Sequence, residues 1–169
     1  MTGMASRLTE DERKTLEMNV LMTPDMANFS GKVHGGALLA ELDRVAFTLA
    51  SRYSGSYAVT LSVDQVTFKQ PILVGELVRF QAAVNHTGRS SMEIGIRVEA
   101  ENITAGRRRH TNSCYFTMVA VDEIGKPVEV PKLVPQNEEE QHRWDAAELR
   151  KELRKEHGKR MEEASAKVK

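Results

Sequence analysis

The chain has 169 residues, 40% of them hydrophobic, and its 24 basic side chains are balanced by 24 acidic ones. A chain of this size can bury a core without a disulfide or a structural metal, and a net charge of zero argues against nucleic acid as a partner. The single cysteine, Cys114, excludes an intramolecular disulfide and is typical of a reducing compartment. No stretch is apolar over the roughly 18 residues that a membrane span needs, so we expect a cytoplasmic protein without a membrane partner.

The sequence divides into three parts of different composition. Residues 1–14 are expected to form a flexible lead, residues 15–135 the compact body and residues 136–169 a charged tail. The tail mixes nine acidic with nine basic residues at helical spacing, which predicts a solvated helix held by i,i+4 ion pairs. Leu149 and Leu153 are among the few apolar residues that could dock it lightly.

One long helix is predicted over residues 35–53. At about 100° per residue its apolar side chains fall within one arc, whereas Glu41 and Arg44 fall outside it, so the helix is amphipathic and largely buried. The arc consists of Leu38, Leu39, Leu42, Val45, Ala46, Leu49, Ala50 and Tyr53. Asp43 lies at the border of the arc, where partial burial would make its carboxylate a better base.

Five strands are predicted around this helix, because apolar residues there alternate with polar ones or run continuously. They cover about residues 16–22, 59–68, 78–84, 92–100 and 114–121, with a bulge near 64–65. A single helix followed by an antiparallel meander must bury that helix against one face of the sheet, which makes the fold α+β. This order is the pattern of the hotdog fold, in which a curved sheet wraps a central helix and subunits usually dimerise through sheet edges.

Four segments of the body resemble the acyl-CoA thioesterase family of hotdog proteins and stand in that family's order. They are MTPDMANFSGKVHGGALLAELD at 22–43, VTLSVD at 59–64, NHTGRSSM at 85–92 and HTNSCY at 110–115. One departure is Lys32, where close relatives often carry asparagine. The resemblance implies an enzyme that hydrolyses the thioester of an acyl-CoA to free coenzyme A and a carboxylic acid. It further implies that no metal or cofactor is needed and that the protein is a homodimer or a trimer of dimers.

Two residues of the first segment take catalytic roles by this resemblance. It implies that Asp43 acts as general base or nucleophile, that Asn28 positions the water or the thioester, and that the two meet across a subunit interface. From the residues alone, Asp43 is equally compatible with an exposed helical aspartate paired to Arg44, and Asn28 with a residue that caps a turn.

The glycine pair Gly35 and Gly36 stands where a loop becomes the helix. Free N–H groups there, together with the positive end of the helix dipole, could hold the thioester oxygen as it gains negative charge. The same two glycines could simply permit a tight entry into the helix. His34, directly before them, could hydrogen-bond the helix start, contact the substrate or, with Asp43, serve a dehydratase of this fold. No histidine has partners at metal-ligand spacing, so no metal site is expected.

A turn between two predicted strands is expected to contact coenzyme A by the same resemblance, although a plain hairpin turn is the alternative. Its residues offer a guanidinium, hydroxyls and backbone amides to a phosphate. They are Gly88, Arg89, Ser90 and Ser91. Residues 107–109, all arginine, would add positive charge at the next turn. Thr60 and Ser62, on the polar side of the strand after the helix, are predicted to line the thioester site.

Three other functions stay open at this point. A non-catalytic regulator would bind acyl-CoA without turnover, a hotdog hydratase or dehydratase would use His34, and an interaction module would bind a partner through the charged tail. The thioesterase interpretation is favoured because it accounts for all four segments.

Overall fold

A computed structural model describes residues 7–166, which form two compact units that divide between Lys132 and Leu133. The elements in chain order are α1 (Glu10–Lys14), β1 (Thr15–Leu21), a short 3-10 turn (Pro24–Met26), α2 (Gly35–Ser54), β2 (Tyr57–Val63), β3 (Leu77–Thr87), β4 (Ser91–Asn102), β5 (Arg107–Val121) and α3 (Glu138–Ala166). The five strands form one antiparallel sheet in the order β1-β3-β4-β5-β2, and α2 packs against it. The predicted α+β arrangement is confirmed.

The helix α2 follows its predicted apolar arc. All residues of the arc except Leu39 are buried, and Leu42, Val45 and Leu49 are fully enclosed between the helix and the sheet. The helix ends at Gly55, whose φ of 70° lies in the left-handed region that glycine adopts without steric cost. Burial of this face fixes the rotation of the helix and therefore the direction in which its polar flank points.

The strand predicted over residues 59–68 is shorter than expected. β2 ends at Val63, and its register shift lies between Thr60 and Ser62, not near residues 64–65. After the Asp64 N–H donates to the Tyr115 carbonyl, the chain leaves the sheet. The apolar residues after Asp64 belong to a loop, so their alternation with polar residues does not correspond to a strand.

The three arginines at 107–109 do not form a turn. They are the first residues of β5, where Glu101 pairs in register with Arg108, and the connecting turn is limited to residues 103–106. Arg108 and Arg109 are ion-paired with Glu101 and Glu76. Two of the three positive charges are therefore paired with carboxylates, one seven residues away in the sequence and the other 33.

The N-terminal lead is partly ordered, contrary to prediction. Residues 1–6 lie outside the described residues, but Thr9 and Glu12 form a capping box that begins α1. Arg13 donates to the Tyr53 carbonyl, and Arg52 donates to the Glu12 carbonyl, so side chains from both helices tie α1 to the end of α2.

The second unit contains the predicted charged helix. In α3, i,i+4 ion pairs join Glu139 to Arg143 and Glu156 to Arg160, as expected for a solvated helix. The two leucines predicted to dock it, Leu149 and Leu153, are 57% and 53% exposed. Among residues 7–166, no helix combines the length and apolar character that crossing a membrane requires.

Candidate active site

The structure joins Asp43 to Thr60. The Thr60 hydroxyl donates to Asp43 Oδ1 at 2.6 Å and also lies 3.4 Å from Met118 Sδ. Thr60 stands on β2 opposite Met118, a residue of the face that α2 covers, so the edge strand directs its hydroxyl toward the helix. Within residues 7–166, the other oxygen of Asp43 has no hydrogen-bond partner. A carboxylate held at one oxygen keeps the other available to accept a proton or to attack a carbonyl carbon.

One expectation about Asp43 and one part of its alternative are not met in the single chain. Its side chain is exposed in the single chain, so the partial burial inferred from the helical arc is not present there. Arg44, the alternative partner of Asp43, is instead paired with Glu41, which was expected outside the buried arc and is 6% exposed. Arg44 therefore forms its ion pair with Glu41, and the Asp43 carboxylate accepts its hydrogen bond from Thr60.

Ser62 does not share the position of Thr60. The register shift at Leu61 places Ser62 opposite Thr117, whereas Thr60 is opposite Met118. Side chains of neighbouring residues on β5 point to opposite faces of the sheet. Thr60 therefore faces α2 and Ser62 faces the other side, so the prediction that both line one site is not supported within a single chain.

Asn28 organises a tight turn ahead of α2. Its Oδ1 accepts hydrogen bonds from the Ser30 N–H, the Ser30 hydroxyl and the Lys32 N–H at 2.9, 2.8 and 3.2 Å. Its own N–H donates to the Lys32 carbonyl at 2.7 Å. The adjacent Phe29 side chain is fully exposed. The side-chain amide nitrogen of Asn28 takes no part in these bonds, and the turn holds it in one orientation.

The start of α2 is arranged differently from the predicted pair of free amides. His34 Nδ1 accepts from the Gly36 N–H at 2.9 Å, so this amide is already used as a helix cap. The Gly35 N–H has no partner within the described residues. Both glycines are closely packed, since a Cβ would lie 3.1 Å from the His34 ring at Gly36 and 3.3 Å from the Phe68 ring at Gly35, and each ring would have to shift by a few tenths of an ångström.

The turn of residues 88–91 lies at the same end of the sheet as Thr60. Met92, directly after the turn, pairs with Met118, and Met118 pairs with Thr60. Two strand spacings, about 10 Å in total, therefore separate Met92 from Thr60. The Gly88 N–H donates to the Ser91 carbonyl at 2.8 Å and closes the turn.

The guanidinium of the turn is already paired. Arg89 Nε donates to Glu129 Oε1 at 3.1 Å, and both side chains are largely exposed. The Arg89 and Ser90 carbonyls accept from the N–H groups of Val130 and Ala120. These bonds fix the turn against neighbouring segments, while the Arg89 pair remains open to exchange with another anion, since exposed ion pairs are weak.

Asn28 and Asp43 lie on different elements of the chain, the first in the turn before α2 and the second on α2 itself. Asp43 lies eight residues beyond Gly35, about 12 Å along the helix, and no hydrogen bond joins it to Asn28 within residues 7–166. Nor do three or more metal-ligating side chains come together anywhere in that described range. The hydrogen bonds of the described chain therefore do not link the two predicted catalytic residues.

The strand that carries Thr60 is an apolar edge. β2 is the last strand of the sheet and pairs only with β5, so its outer backbone groups have no strand partner in the described chain. Four of its apolar side chains are between 40% and 68% exposed. They are Tyr57, Val59, Leu61 and Val63. An exposed apolar edge of this length is typical of a surface that pairs with another chain.

Comparisons with known proteins identify the family. Residues 30–106 match the model of the thioesterase superfamily. The chain is 50% identical over 143 residues to the protein VdlD of Helicobacter pylori. This alignment covers 85% of this chain and 82% of that protein. It is 41% identical to a hexameric acyl-CoA thioesterase, with a TM-score of 0.83 over 87% of this chain and 94% of the other. The chain belongs to the hotdog-fold acyl-CoA thioesterases. Both the predicted fold family and the predicted enzyme class are confirmed.

Another structure of the acyl-CoA thioesterase family contains ligands. The acyl-CoA hydrolase of Staphylococcus aureus was solved with butyryl coenzyme A, coenzyme A and coenzyme A disulfide, and it is 29% identical with a TM-score of 0.81. The alignment covers 91% of this chain and 94% of that protein. Variants of the same hydrolase in which an asparagine, an aspartate or a threonine is replaced by alanine have also been solved.

Proposed function

We propose that this acyl-CoA thioesterase hydrolyses acyl-CoA with Asp43 as its general base or nucleophile. The observation that carries the proposal is the 2.6 Å hydrogen bond from Thr60, which leaves one carboxylate oxygen free. Supporting it, an asparagine, an aspartate and a threonine are the residue types that were replaced in the Staphylococcus aureus hydrolase. Thr60 is then a positioning residue that orients Asp43.

The reaction can run by two routes from this geometry. In the first, the free oxygen of Asp43 takes a proton from water while the water oxygen attacks the thioester carbonyl carbon. In the second, that carboxylate oxygen itself attacks and forms an anhydride, which water then hydrolyses. In both routes the C–S bond breaks, the thiolate of coenzyme A leaves, and it recovers the proton that hydrolysis releases. The products are free coenzyme A and a carboxylic acid.

The oxyanion of the tetrahedral intermediate is assigned to the start of α2 in the second chain, because Gly35 of the same chain lies about 12 Å along the helix from Asp43. The Gly35 N–H is open and lies at the positive end of the helix dipole, which favours a developing negative charge. The Gly36 N–H can contribute only if it exchanges its bond to His34 for one to the substrate. His34 is thus proposed as the group that shapes the helix start and contacts the substrate there, rather than as the base of a dehydratase.

Assembly is part of the proposal, because the family resemblance implies that Asn28 and Asp43 meet across a subunit interface. The apolar edge of β2 supports pairing of two copies next to Thr60 and Asp43, and a relative with 41% identity is hexameric. We therefore propose a homodimer, further assembled as a trimer of dimers. The turn of residues 88–91 and Lys32 are proposed to contact coenzyme A, with Arg89 exchanging Glu129 for a phosphate. A cytoplasmic location is supported by the free thiol of Cys114.

The test is release of free coenzyme A thiol from a panel of acyl-CoA substrates, from acetyl to palmitoyl, by the purified chain. Thiol release establishes hydrolysis and gives the preferred acyl length. Binding of acyl-CoA without thiol release would favour the non-catalytic regulator. Hydration of an enoyl-CoA without thiol release would favour the hydratase. Retained hydrolysis after removal of residues 136–169 would show that the charged tail is not needed for the chemistry.

Thr60→Val is expected to lower kcat by about tenfold or more, because a hydrogen bond to a charged group is lost and Asp43 is no longer oriented. Thr60→Ser keeps the hydroxyl and should retain most of the activity. Steady-state thiol release by both variants at matched protein concentration measures the effect. Equal activity of Thr60→Val and wild type would contradict the positioning role.

A further inference from the structure

The loop that carries Asn28 is attached to the body of the chain through a second loop. The Val33 N–H donates to the Ile72 carbonyl at 2.8 Å, and Lys32 forms a β-bridge with Leu73. These contacts join the Asn28 turn to residues 71–76, the segment that leads into β3. The position of the Asn28 side chain therefore depends on how firmly the second loop is held.

A partly buried ion pair closes this second loop. The Glu76 carboxylate oxygens accept from Arg109 at 2.6 and 2.7 Å, and one of them also accepts from the Leu73 N–H at 2.9 Å. Arg109 donates in addition to the Pro71 carbonyl at 2.7 Å. The Glu76 side chain is 6% exposed and the Arg109 side chain 32% exposed, so the carboxylate end of these charge-assisted bonds is shielded from water more than the guanidinium end.

The ion pair of Glu76 and Arg109, called the clamp below, is formed by two charged groups at neutral pH. The guanidinium of Arg109 lowers the pKa of the Glu76 carboxyl below its usual range, so the carboxylate is charged at neutral pH. Bidentate Arg–carboxylate pairing restricts orientation as well as distance. Because Arg109 lies on β5, the clamp ties the 71–76 loop to the same strand that pairs with β2 and Thr60.

We propose that Glu76 and Arg109 are positioning residues, whose ion pair fixes the 71–76 loop and through it the place of Asn28 in the active site. This inference rests on the proposed function, in which Asn28 orients water or the thioester. The pair acts on the reaction only through Asn28 and makes no contact with the reacting atoms.

The test compares Glu76→Gln in two backgrounds, wild type and Asn28→Ala. Glu76→Gln keeps the shape of the side chain but removes the charge that holds Arg109. In the wild-type background kcat is expected to fall by about tenfold, because small displacements of a positioning group are costly. In the Asn28→Ala background the further loss is expected to be less than about twofold, since the residue to be positioned is already absent. A general loss of stability would lower activity in both backgrounds alike.

Glu101→Gln is the matched control, because it removes the neighbouring ion pair with Arg108 on the same strand and does not involve the 71–76 loop. It should leave kcat within about twofold of wild type, as exposed ion pairs contribute little. Arg109→Lys retains the positive charge but loses the bidentate pairing with Glu76. If Glu76→Gln fails to fold, Arg109→Lys takes its place, and it should lower kcat in the wild-type background but much less in the Asn28→Ala background.

The possible results separate the two proposals. Additive losses for Glu76→Gln and Asn28→Ala, or unchanged kcat in Glu76→Gln, would overturn the positioning role and leave the proposed hydrolysis intact. A folded wild-type protein that hydrolyses none of the acyl-CoA substrates would overturn the proposed function, and the positioning role with it.

Discussion

Asp43→Ala is expected to lower kcat by about 10²-fold or more, because it removes the carboxylate that we propose activates water or attacks the thioester. Folding should be preserved, since the Asp43 side chain is exposed and its hydrogen-bond partner within the described residues is Thr60. The loss of that one bond should change the free energy of unfolding by about 1 kcal/mol at most. Thiol release, thermal unfolding and size-exclusion chromatography on the same preparation measure the three quantities.

Two controls make the Asp43 result specific. Asp43→Asn retains an oxygen that can accept the Thr60 hydrogen bond but removes the negative charge, and it should be as inactive as the alanine variant. Asp145→Asn changes an exposed aspartate of α3 and should leave kcat unchanged. Near-normal turnover by either Asp43 variant would remove this residue from the chemistry.

A double substitution on the β2 edge, Val59→Lys with Leu61→Lys, is expected to produce monomers and to abolish hydrolysis. Both side chains are exposed in the single chain, at 40% and 68%, so the monomer should fold normally. Lysines on an edge strand prevent pairing because an interface would have to bury unpaired charges. In the proposed dimer Asn28 is supplied by the second chain, so the monomer should lack it and we expect kcat to fall by about 10²-fold or more.

The edge variant is checked by light scattering coupled to size-exclusion chromatography, alongside thiol release. Ile103→Lys is its matched control, since Ile103 is also an exposed apolar residue but lies in the turn between β4 and β5. That variant should keep both its mass and its activity. Monomers that retain full activity would show that one chain contains a complete site.

Several features could be predicted from local sequence patterns. The predicted helix, residues 35–53, agrees with α2 to within one residue because Leu42, Val45 and Leu49 repeat at the helical period. Residues Asn28 and Asp43 were found through a resemblance of motifs, which identifies residue types without their contacts. The charged helix after residue 137 was likewise visible, because ion pairs at i,i+4 are a local property.

The contacts of the site were decided by tertiary structure. Thr60 lies 17 residues from Asp43, and its hydroxyl reaches the carboxylate only because β2 pairs with β5 and thereby faces α2. The irregularity at Leu61, which turns Ser62 away, is set by that same pairing. The alternation of polar and apolar residues along one strand cannot reveal such an irregularity, because a shift of a single residue exchanges the two faces of the strand.

The partners of charged and hydrogen-bonding groups were likewise decided by the tertiary structure. The sequence determined that Arg109, His34 and the glycines were present, and it determined the fold family through periodicity and motif order. Only the tertiary structure decided that Arg109 is committed to Glu76 and that the Gly36 amide is committed to His34. The physical reason is that hydrophobic periodicity is local, whereas the partner of a polar group depends on which distant segments the packed core brings together.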